Sequence, residues 1–77
     1  MTISDRAIAL IEISDLNTLT RMGDTNYPRW SNVKRRKARV GADEIEILGN
    51  MFPEYRWWLL TGEACPEIGQ SIPDIRA

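Results

Sequence analysis

Histidine is absent from the 77 residues, and cysteine occurs once, at Cys65. One chain therefore cannot assemble a four-ligand zinc site, a Ser-His-Asp triad, a Cys-His dyad or an internal disulfide. Long apolar runs are missing as well. The longest, Ala7 to Ile11 and Trp57 to Leu60, fall far short of the roughly 18 residues that cross a bilayer. No basic stretch of the secretory type lies within Met1 to Asp5, so a cytoplasmic protein with no membrane partner is expected. Neither a metal nor a cofactor is expected. Catalysis is not expected either, because the usual general base is lacking and so short a chain encloses little cleft.

What is present fits one small globular domain. The chain is 43% hydrophobic and 27% charged, close to the average for folded proteins. The formal net charge of −1 conceals an uneven distribution. Residues 1–20 carry Arg6 against Asp5, Glu12 and Asp15, a net of −2. Residues 21–39 carry seven Arg or Lys against Asp24, a net of +6, and residues 40–77 total −5. A basic block flanked by acidic segments suggests a surface that faces a polyanion.

Helical signals fill the chain as far as Glu63. Ser4 is a candidate N-cap for a first helix ending near Glu12. Ser14 or Asp15 can cap a second, with Leu16, Leu19 and Met22 on one face and Gly23 at its end. Thr25 is a candidate N-cap for a third helix of about Asn26 to Arg36, and Pro28 is tolerated in its first turn. Trp30 and Val33, three apart, point inward. Pro28, Ser31, Asn32 and Arg35 then face out, flanked by Arg29 and Arg36. Gly41 with Glu44 three residues on predicts a capped fourth helix with Ile45, Leu48, Gly49 and Phe52 inward. Pro53 stops it and starts a fifth, built on Trp57 to Leu60 and closed by Thr61 and Gly62. The expectation is an all-α, five-helix domain over residues 1–63, with a flexible or partly docked tail over residues 64–77.

A short helix, a turn containing glycine and a second helix with a small, polar, basic outer face have the helix-turn-helix layout, whose second helix enters the major groove of DNA. Base edges there are read by short or bidentate side chains near the start of that helix. The candidates are Thr25, Asn26, Arg29 for guanine, Ser31, and Asn32 for adenine. Lys34, Arg35, Arg36, Lys37 and Arg39 are candidates for phosphate contact. Acidic Asp43, Glu44 and Glu46 read as helix-capping and solvated charge.

The residues that carry this layout resemble the lambda-repressor-like family of Cro and repressor type, especially short phage and prophage regulators. Ile13 to Gly23 is similar to the family's second helix and turn. Arg29 to Arg39 is similar to its recognition helix and the basic loop behind it. Ile45 with Leu48, and Trp58 to Glu63, are similar to its fourth and closing helices. Seven residues separate Gly23 from Trp30, one more than the family spacing, and Thr18 stands where the family carries a large aliphatic. The resemblance implies a five-helix domain that binds operator DNA, often as a homodimer, and so a sequence-specific regulator of transcription. Trp57 and Trp58 diverge by about 100° on one helix, which leaves Trp57 as a candidate interface residue. The alternative function is a module on the same scaffold that uses Trp57 and the acidic half to inhibit or recruit a protein partner.

Overall fold

Thr2, not Ser4, starts the first helix. In the computed structural model, which describes residues 1–23 and 27–74, the Thr2 hydroxyl accepts from the Asp5 amide at 3.1 Å while the Thr2 amide donates to Asp5 Oδ2 at 2.9 Å. This reciprocal capping box satisfies two donors that the first turn would otherwise leave open. It sets α1 at Ile3–Glu12 and places Ser4 inside the first turn. Asp15 caps α2, Leu16–Gly23, by accepting from the Asn17 amide at 3.2 Å and the Thr18 hydroxyl at 3.1 Å.

Tyr27–Lys34 forms α3, two residues shorter at its C-terminal end than the expected span to Arg36. Ala42–Met51 forms α4, capped as expected by Gly41 and Glu44. Pro53 ends α4 but does not enter a regular fifth helix. It opens a 3-10 turn over Pro53–Tyr55, and α5 then runs Arg56–Thr61. Among the described residues the protein is all-α, with these five helices, two 3-10 turns and no strand. None of the helices is long and apolar enough to cross a membrane.

The core is built around α1. Every residue from Arg6 to Ile11 is buried, as suits a helix enclosed nearly all round, and α1 packs against α3, α4 and α5. Leu19 from α2, Trp30 and Val33 from α3, Leu48 from α4, and Trp58 and Leu59 from α5 complete the cluster. Leu19, beside the half-exposed Thr18, supplies the aliphatic that α2 buries. Fully burying such a side chain contributes roughly 1.5–3 kcal/mol. Trp30 is completely enclosed, and its indole Nε1 finds no acceptor among the described residues; an unmet donor of that kind costs about 1–3 kcal/mol, set against the large apolar area the ring removes from water.

Arg6 is the charged exception in this interior, only 8% exposed. Its Nε donates to the Leu59 carbonyl at 2.9 Å, Nη2 to that of Leu60 at 3.4 Å and Nη1 to that of Met1 at 2.7 Å. The last carbonyls of a helix have no partner within it and lie at its negative end. Here the Gly62 amide takes the Trp58 carbonyl at 2.7 Å, and Arg6 takes the next two. Gly62 adopts φ +82, and a Cβ there would sit 3.2 Å from Arg6 Nη1, so both the turn and the neighbour demand glycine.

The segment after α5 closes on the start of that same helix. Cys65 and Gln70 exchange backbone hydrogen bonds at 3.0 Å around a 3-10 turn, Pro66–Ile68. The Gln70 side chain accepts from the Trp57 amide at 2.8 Å and donates to the Pro53 carbonyl at 2.9 Å. Ser71 adds a backbone bond to Glu54 at 2.9 Å, and Pro73 is buried. Gln70 thereby caps the first turn of α5 from beyond the end of that helix.

Replacing Arg6 with methionine keeps much of the volume but leaves three carbonyls without a donor. Thermal unfolding of Arg6→Met should show a loss of about 2–3 kcal/mol, which lowers the midpoint by roughly 10–20 °C in a domain of this size.

Candidate nucleic-acid interface

Burial of Trp30 and Val33 orients α3. Pro28 and Asn32 are exposed and Ser31 is half-buried, as the helical period requires. Tyr27, the first residue of α3, is 46% exposed beside this face. Sequence reasoning missed it, although its place four residues before Ser31 put it on the same flank. Thr25 and Asn26, expected to contribute at the start of the helix, lie outside the described residues.

Beyond Lys34 the chain turns sharply. The Lys37 amide reaches back to the Asn32 carbonyl at 2.8 Å and the Arg36 amide to that of Val33 at 3.0 Å, the paired bonds of a Schellman closure. Glycine is usual at its left-handed position, yet here Arg36 adopts φ 60. That geometry costs a non-glycine residue about 1–2 kcal/mol. It is also why α3 ends early. In the loop that follows, Ala38 and Val40 pack against the core while Lys37 and Arg39 stay exposed.

The basic residues divide into two groups. Arg29, expected on the outward side, is instead half-buried on the flank of α3 nearest α4. Its Nη2 donates to Glu44 Oε1 at 2.6 Å and to the Arg39 carbonyl at 2.7 Å. Contact with a base would require breaking both bonds. Arg36 is tied across the molecule, with Nη2 at 2.8 Å from Asp5 Oδ1. Lys34, Arg35, Lys37 and Arg39 are exposed, and their side chains pair with nothing among the described residues.

Two carboxylates reflect these pairings. Burial pushes the Glu44 carboxyl up, but the hydrogen bond from Arg29, the Gly41 amide at 2.8 Å and the Arg29 charge outweigh it and hold the group below its ordinary value. Glu44 is therefore a buried clamp for α3 and the loop as well as a cap, and not the solvated charge expected. Asp5 is held at about 2, first by the Thr2 amide, then by the Arg36 guanidinium and the Thr2 hydroxyl.

The outward side of α3 and the loop behind it thus carry small polar groups on the helix and, at and beyond its end, four exposed cations with no partner among the described residues. The molecule is a small all-α protein of phage type. It is similar to the solved structure of Pf6r from the filamentous phage Pf6 of Pseudomonas aeruginosa PA01, with a TM-score of 0.90 and 38% identity over 99% of this chain and 100% of that one. The chain belongs to the same family as Pf6r. No protein-family model and no curated protein matches it.

Asp5 makes stability depend on pH in acid. Its folded value lies below the ordinary carboxylate value of about 3.9, so the contribution is complete above pH 4 and disappears as pH falls toward 2. Thermal melts between pH 5 and pH 2 should show this loss for the natural chain and a smaller one for Asp5→Asn.

Proposed function

We propose that the chain is a phage-type regulator that binds double-stranded DNA, laying α3 in the major groove and acting by occupancy without catalysing a reaction. The observation that carries this reading is the selective freedom of Lys34, Arg35, Lys37 and Arg39. Internal acids take up Arg29 and Arg36, yet these four exposed cations cluster where a helix seated in the groove would meet the backbone. Kinship with a filamentous phage protein supports the same reading. Ser31 and Asn32, with Tyr27 beside them, present donors and acceptors of the sort that reads base edges. A second copy would pack on α5, where Trp57 and Leu60 are exposed next to a groove of about 210 Å³ carrying Glu46 and Arg56. A two-fold contact needs one such self-complementary patch.

Fluorescence anisotropy with a short mixed-sequence duplex tests the reading. Three to four phosphates neutralised should give a log–log slope of affinity against salt of about −2.7 to −3.6. Lys37→Glu should weaken binding to all sequences alike, while Asn32→Ala should mainly reduce discrimination between sequences, by about 1–3 kcal/mol at one base pair. Salt-independent binding, or none at micromolar protein, overturns the proposal. Sedimentation of the natural chain should reveal dimers that Trp57→Glu dissociates; monomers throughout overturn the two-copy arrangement.

A further inference from the structure

Arg36 is constrained by its backbone and by its side chain. It is the non-glycine residue held at positive φ among the described residues, and its guanidinium meets Asp5 from the first turn of α1, 31 positions away. Beside this pair lies a depression of about 240 Å³ between α1 and the loop, lined by Ile8, Ala38 and Val40 together with Ser4, Arg36, Lys37 and Arg39. Three basic residues and a serine therefore share the lining of one small concavity. Its lining includes no carboxylate. Among the described residues the acid that reaches these cations is Asp5, through Arg36, and its second oxygen is taken by the Thr2 amide.

We infer that this depression is a seat for one backbone phosphate of bound DNA, and that Asp5 is a built-in competitor for that phosphate at Arg36. The inference rests on the DNA-binding reading above. A carboxylate and a phosphodiester both accept charge-assisted hydrogen bonds from a guanidinium, so the Asp5–Arg36 contact already displays the geometry the phosphate would take over. Lys37 and Arg39, free at the same concavity, hold the remaining oxygens, and Ser4 Oγ can donate to them. Asp5 keeps Arg36 oriented while the site is empty. It also lowers affinity, because the incoming phosphate must displace one anion and then lie beside it.

Anisotropy titrations of a short mixed-sequence duplex from about 50 to about 200 mM salt, using the natural chain, Asp5→Asn, Asp5→Ser and Glu54→Gln, test this. Serine and asparagine both keep an acceptor for the Thr2 amide, and thermal melts identify a variant that fails to fold. Both Asp5 variants should bind about threefold tighter at the lowest salt, the size expected for removing one exposed charge close to a phosphate. Their salt slope should steepen by about 0.9. Glu54→Gln removes the same charge from an exposed site away from the depression and should match the natural chain. Equal affinity and slope in the natural chain and the Asp5 variants overturn the inference while leaving DNA binding intact, as does an equal gain in Glu54→Gln. Absence of binding by every protein overturns the DNA-binding reading instead. Inorganic phosphate provides an independent readout: the NMR cross-peak of the Arg36 Nε–H should move at lower phosphate concentration in Asp5→Asn, and a peak unmoved in both proteins also overturns the seat.

Discussion

A buried guanidinium bound to three backbone carbonyls holds this small domain together. Arg6 joins the first turn of α1 to the last carbonyls of α5 across 53 positions of sequence and also holds the Met1 carbonyl. Its charge is balanced by the negative end of a helix and by backbone oxygens, which suits a cation that cannot be deprotonated. Because Asp5 is the adjacent residue and faces Arg36, one turn of α1 fixes the closing helix on one side and the basic loop on another. Sliding α1 by one residue would break both contacts at once, so the two regions share a single reference point.

That shared turn explains how a chain of net charge −1 can present a basic surface. Its cations are sorted by partner. Arg6 and Arg56 bind backbone carbonyls, Arg29 binds Glu44, and Arg36 binds Asp5. The acids used in these pairs are themselves helix-capping residues, since Asp5 closes the box with Thr2 and Glu44 accepts from the Gly41 amide. Each therefore secures a helix start and a distant guanidinium together. Of the remaining cations, Lys34, Arg35, Lys37 and Arg39, which pair with nothing among the described residues, are near neighbours in sequence.

Much of this was legible in the sequence, and the misses share a cause. Trp30 and Val33 are inward, Trp58 is buried while Trp57 is not, and Gly41, Glu44 and Gly62 cap as their spacing implied. All of these follow from local period or local cap chemistry. The start of α1 was displaced because Thr2 and Ser4 are both competent caps, and only Thr2 has an acid three residues on. The end of α3 was hidden because an arginine occupies the left-handed position where glycine would have advertised the turn. The pairs Arg29–Glu44 and Arg36–Asp5 join residues 15 and 31 positions apart, and no spacing rule reaches that far. Charge counting could mark the basic block but could not say which of its members the fold would claim.

The side-chain amide of Gln70 ties the segment after Glu63 to the start of α5. By serving the first turn of α5 from beyond its last turn, it makes a segment without periodicity part of the scaffold that presents Trp57. A recombinant fragment trimmed at Glu63, where regular patterning gives out, would begin its final helix with a bare Trp57 amide. That helix would fray from the end that supports the exposed indole, and any association through the indole would weaken although every residue of the contact patch had been retained.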